Sequence, residues 1–184
     1  MNINDMMSDI INKKNDELNK LKGKEGKFSK INEFEGNAIG QIGEEFVKKV
    51  FKKNNIPVDN KNDVTHDEYD ILSNNRKIEV KTARKGISNE TFQFNGLNPH
   101  YNSDLLILIG ITLKEIYYSI INYNVKYKHE NRKYYLDIGN KEKQLVSMNP
   151  GNTVNYKLTL NLSDLKPIEN FEKELEELKK RNLL

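Results

Sequence analysis

The chain has 184 residues, carries 30 Lys and Arg against 27 Asp and Glu for a net charge of +3, and contains no cysteine. That length buries one sizeable core but leaves little room for two independent domains, and the lack of cysteine excludes a disulfide framework and a thiolate zinc site. The longest apolar run is too short to span a bilayer and the polar N-terminus lacks a signal-peptide core, so a soluble, cytoplasmic protein with no membrane partner is expected.

In chain order, residues 4–22 predict a helix with a loose stripe of Met7, Ile10, Ile11, Leu18 and Leu21, ended by Gly23 and Gly26. Its ordinary use is docking on its own domain, with pairing to a second subunit or to another molecule as alternatives. Residues 37–51 predict an amphipathic helix on Ile39, Ile42, Phe46, Val47, Val50 and Phe51. At about 100° per residue, Glu44 falls at the margin of the apolar arc, beside Val47 and Phe51, whereas Glu45 falls opposite and can pair with Lys49.

Residues 68–82 read as a β-hairpin around Asn74-Asn75. Side chains alternate along a strand, so Glu79 and Lys81 share one face and Ile78 and Val80 the other. A short strand is expected at 91–94, a continuous apolar run buried on both faces at 103–111, and a strand pairing back on it at 115–121. Residues 157–162 alternate as a strand, and a helix is expected to open near Pro167 and run to about residue 182, acidic first and basic last as its dipole favours. The whole reads as one domain over residues 1–184, with an N-terminal helical extension over about 1–35.

Asp70, Glu79 and Lys81 put two carboxylates and an ammonium on this one hairpin. Such a trio can hold a divalent cation beside a phosphate: Asp70 and Glu79 are hard oxygen donors suited to Mg²⁺, and Lys81 can hold a water or face the phosphate as a fixed charge. The competing reading is a surface hairpin whose charges are merely solvated.

These residues resemble the site of the PD-(D/E)XK nuclease superfamily, particularly its type II restriction endonuclease-like members. Asp70 matches the first acid, Glu79-Val80-Lys81 matches the E-x-K tripeptide, Tyr69 stands where the family name has Pro, and Gly43-Glu44 matches the placement of a helical Glu that assists metal or water binding. The resemblance implies an α/β (α+β) fold of restriction-endonuclease-like type, a mixed central sheet flanked by helices. It also implies Mg²⁺-dependent hydrolysis of phosphodiester bonds in double-stranded DNA at a specific sequence, with Asp70, Glu79, Lys81 and Glu44 as the catalytic group, and Asp70 and Glu79 as metal ligands. A homodimer is the geometric expectation for cutting both strands. One departure stands out: the family usually places a helix between the E-x-K strand and the next core strand, and residues 85–102 show no helical period.

The net charge does not by itself identify a nucleic-acid partner. Arg76, Lys77, Lys81, Arg84 and Lys85 cluster around the hairpin, and a second basic and aromatic stretch includes Tyr123, Lys126, Tyr127, Lys128, Arg132, Lys133, Tyr134 and Tyr135; either can contact phosphates, and both can be ordinary surface. Gln93, opposite Phe92 and Phe94, is expected to face the cleft of Lys81, and Asn95, Asn98 and His100 on the following loop are candidate base readers, with loop hydrogen bonding as the alternative. Asp67 and Glu68 are further acids near Asp70, and the scattered His66, His100 and His129 lack metal spacing. The alternatives to a restriction enzyme are a structure-specific repair or recombination nuclease with the same chemistry, and an inactive DNA-binding module.

Overall fold

Asn74 and Asn75 adopt φ of 48° and 63°, the left-handed backbone that asparagine tolerates better than most residues. They form a two-residue loop with Ser73 opposite Arg76 and Ile71 opposite Ile78, the turn geometry that follows the twist of paired strands. In the computed structural model, which describes residues 2–18, 28, 30–31, 34–59, 69–86, 90–148 and 154–184, this hairpin begins a mixed sheet. Its strands are β1 (Ile71–Ser73), β2 (Arg76–Arg84), β4 (Leu105–Ile111), β5 (Ile116–Asn122) and β10 (Lys166–Pro167), in the spatial order β1-β2-β4-β5-β10. Only β2 and β4 run parallel; the other neighbours are antiparallel.

A second, antiparallel sheet has the order β3-β9-β8-β7-β6, from β3 (Thr91–Leu97), β9 (Tyr156–Asn161), β8 (Lys141–Ser147), β7 (Lys133–Ile138) and β6 (Val125–Lys128). Helices α1 (Ile3–Leu18), α2 (Gly36–Lys53) and α3 (Phe171–Lys180) cover one face of the mixed sheet, and the second sheet covers the other. The fold of the described residues is therefore α+β, in three layers.

β4 shows why this layering suits the sequence. Leu105, Ile107, Ile109 and Ile111 pack with the helices, while Leu106 and Leu108 pack with Phe92, Phe94, Leu158 and Leu160 of the second sheet. A strand covered on both faces needs apolar residues at every position, which is the continuous run seen in the sequence. Parallel β2 and β4 require a crossover, and here it passes through β3 in the other sheet instead of through a helix. The predicted strand at 91–94 is thus longer and belongs to a different layer from β2.

α1 buries Ile3, Met6, Met7, Ile10 and Ile11 in the helical core, so it docks on its own chain. Its expected continuation to residue 22, with Leu21, Gly23 and Gly26, lies outside the described residues. Near Pro167 the expectation is corrected: Pro167 ends β10, a 3₁₀ turn follows at Ile168–Asn170, and α3 begins only at Phe171. Phe171 packs against Phe46 and Tyr118 at ring distances of 6.2 and 4.8 Å, so burial of this aromatic sets where the helix starts. No helix among the described residues is long and apolar enough to cross a membrane.

Candidate active site

β1 pairs with β2 only as far as Ile78. Where β1 ends, Asp70 continues the ladder: its N–H donates to the Ile78 carbonyl at 3.0 Å, and its Oδ2 accepts the Val80 N–H at 2.7 Å. A carboxylate thus stands in for a strand partner and fixes Asp70 beside Glu79 and Lys81; among the described residues no strand pairs with that edge of β2 beyond it.

Along β2, Ile78 and Val80 enter the helical core, so by alternation Glu79 and Lys81 face the second sheet. Lys81 Nζ donates to Glu79 Oε1 at 2.8 Å, and the side chains are 21% and 2% exposed. Glu79 is therefore covered by the second sheet instead of lying open in a cleft. Ser103 Oγ, just before β4, donates to Glu79 Oε2 at 3.4 Å. Burial raises the Glu79 carboxyl above its ordinary value; Lys81 opposes this and Asp70 adds to it. Burial pulls the Lys81 ammonium down, but Glu79, Asp70 and Glu44 together outweigh it, and the net shift is upward. Lys81 is firmly protonated.

Glu44 comes from the opposite layer. The backbone of α2 approaches β2 so closely at Gly43 that a Cβ there would lie 1.7 Å from Thr82 Oγ1 and 2.8 Å from Thr82 Cβ. Only glycine permits this contact, and the next residue on the helix is Glu44. Its carboxyl is raised by burial first and by Asp70 second, with Lys48 and Lys81 opposing. Asp70 and Lys81 therefore act on both Glu44 and Glu79 beside β2, while Glu45 points away and pairs with Lys49 at 3.0 Å.

Two further groups complete the surroundings. Gly96 sits at φ +77° in a bulge between Phe94 and Leu97, and a Cβ there would lie 3.9 Å from Lys81 Cε and Nζ. Tyr123 donates its hydroxyl to the Asn98 carbonyl at 2.8 Å, and burial, then the charge of Glu79, raises its pKa. Glycine inside a strand is a sequence signal for a bulge or close approach, so Gly96 was open to discovery; Ser103 and Tyr123 carry no such signal.

The other candidates lie elsewhere. Gln93 is exposed and faces away from Lys81, because Phe92 and Phe94 take the side of β3 that meets the mixed sheet; its expected place in the Lys81 cleft is corrected. Asn95 is also exposed. Asn98 is occupied with its own loop, where Oδ1 accepts the His100 N–H at 3.0 Å, and His100 lies edge-on to Tyr134 at 5.7 Å. Arg84 donates to the carbonyls of Ile31 and Phe34 at 3.4 and 3.3 Å on the helical side, and Lys85 pairs with Glu90 at 2.9 Å. Asp67, Glu68 and His66 lie outside the described residues.

Among the described residues, no three His, Cys, Asp or Glu side chains cluster tightly enough to hold a metal unaided. Asp70 and Glu79 nonetheless fit Mg²⁺, which is commonly bound by one or two carboxylates together with water and substrate phosphate oxygens. The Lys81 ammonium already acts as a stand-in cation for Glu79, Asp70 and Glu44. The chain matches no family model, no curated protein and no solved structure, so the geometry of the site carries the functional argument.

Proposed function

We propose that this protein is a Mg²⁺-dependent DNA endonuclease that hydrolyses phosphodiester bonds. The observation that carries the proposal is the meeting of Glu44, Asp70, Glu79 and Lys81 beside β2, from helix α2, the residue before β1, and β2, in the order the resemblance implies. Mg²⁺ on Asp70 and Glu79 would supply charge stabilisation at the phosphate and make a water a better nucleophile. Lys81, held protonated by its neighbours, acts as a fixed cation against the phosphate or as a donor that orients the attacking water, and is unsuited to take a proton. Glu44, with its carboxyl raised above the ordinary value, is the member better suited to accept one. The attacking water forms the new P–O bond, the ester P–O bond breaks, and the departing oxygen takes a proton from solvent.

Cutting both strands of a duplex at a specific sequence, as a homodimer of restriction type, is the most specific form of the proposal. A structure-specific nuclease is the second, favoured by the aromatic rings that lead away from Lys81 along the second sheet. Incubation of the full chain with plasmid, phage and branched DNA in Mg²⁺ tests the activity. Asp70→Ala and Lys81→Ala are expected to abolish cleavage with folding intact, and wild-type cleavage by both variants would refute the assignment.

A further inference from the structure

We propose that the aromatic face of β6, β7 and β9 is a platform on which unpaired bases of a single-stranded DNA segment stack as that strand leads to the site. The proposal rests on the nuclease reading for its substrate class, and it adds the form of DNA and the residues that hold it. Tyr156 pairs with Leu97, the residue after Gly96, which lies over Lys81. From there the rings continue: Tyr156 to Tyr134 at 5.3 Å, Tyr134 to Tyr127 at 4.9 Å, and Tyr127 to His129 at 6.3 Å, with His100 against Tyr134. The two ring distances place Tyr156 and Tyr127 within about 10 Å of each other, a row that suits successive bases better than a single one.

A cross-strand pair such as Tyr127 opposite Tyr134 also stabilises a hairpin. Tyr134 and Tyr156 also pack at the margin of the second-sheet core, but neither role explains why Tyr127, at the far end of the row, remains 48% exposed. Charge supports DNA as the occupant. Lys126 and Lys128 are neutralised by Asp137 and Glu142. Arg132, in the turn beside the rings, forms no ion pair among the described residues and is left to meet phosphates, whereas Lys133 alternates with Tyr134 and faces the other side of the sheet. Duplex bases hide their faces in the stack, whereas unpaired bases offer them to tyrosine.

Binding of the full chain to short oligo(dT) in EDTA, followed by fluorescence anisotropy, tests the platform apart from cleavage. Wild type is expected to bind oligo(dT) more tightly than duplex of equal length, with Tyr127→Ala weakening this about 5- to 50-fold and Tyr127→Phe changing it by less than about twofold. A 2-aminopurine base within the oligonucleotide is expected to be quenched on wild type and less so on Tyr127→Ala. Equal binding by wild type and Tyr127→Ala, no preference over duplex, or preference for oligo(U) would overturn the platform. Lys81-dependent cleavage would still uphold the nuclease reading in that event. Conversely, Tyr127-dependent binding with no cleavage of any DNA would uphold the platform and sink the nuclease.

Discussion

Lys81→Met removes the ammonium that Glu79 holds at 2.8 Å and strands a carboxylate only 2% exposed. At an effective dielectric of about 20, charges at that separation attract by about 6 kcal/mol, but desolvation of both groups cancels much of this. Removing one partner of a buried pair typically costs about 3–5 kcal/mol. Lys81 is 21% exposed, and Glu79 can take up a proton once alone, so the expected loss is nearer about 2–3 kcal/mol at pH of about 8. The sign follows from Glu79, whose carboxyl burial already raises and Lys81 restrains. Without Lys81 its folded-state value rises further above the unfolded one, so the native variant binds a proton more tightly than the unfolded chain. Relative to wild type, the variant is then most stable below the ordinary carboxylate range and weakens as pH rises through the raised value. Urea unfolding at pH of about 5 and about 8 measures this, and Glu79→Gln combined with Lys81→Met is expected to recover most of the loss. A loss independent of pH, or no recovery in the double variant, would refute the reasoning that an uncompensated buried charge is at stake.

Gly43→Ala forces a Cβ to within 1.7 Å of Thr82 Oγ1, so it is expected to lower stability by about 1–3 kcal/mol, with Thr82→Ala in the same chain restoring part; wild-type stability of the single variant by urea unfolding would contradict the packing argument. Glu44→Gln removes a charge that burial and Asp70 disfavour; because the folded-state pKa is raised, the variant is expected to match wild type below the ordinary carboxylate range and exceed it in stability above the raised value. Its Mg²⁺-supported cleavage is expected to fall at least about 100-fold if Glu44 accepts the proton. Full activity without a gain in stability would count against both claims.

The hairpin was legible because alternation and turn chemistry act over a few neighbouring residues: Asn74 and Asn75 take the positive φ that their pairing predicts, and Ile78 and Val80 enter the core as their spacing requires. The all-apolar run of β4 likewise announced cover on both faces, although not what would cover them. Gln93 shows where local reasoning stops. Its alternation with Phe92 and Phe94 is visible in the sequence, but whether the odd or the even side of β3 meets Lys81 depends on β3 lying in a second sheet, pressed face to face on the first. In that arrangement the phenylalanines take the side toward Lys81, and Gly96, at a bulge that breaks the alternation, is what reaches the ammonium.

The same covering turns Glu79 from a surface acid into a buried one, and this bears on function. A buried ion pair is often no more stabilising than an apolar pair of similar volume, and Ile107 or Leu108 on the neighbouring strand shows how readily the interior accepts aliphatic side chains. Glu79 and Lys81, with Asp70 and Glu44 raising the local negative charge, are therefore poorly explained as a device for holding the two sheets together. Their position beside Asp70 suits the proposed ligand, which would bring positive charge to the carboxylates and negative charge to the ammonium, as a metal ion and a phosphate together do.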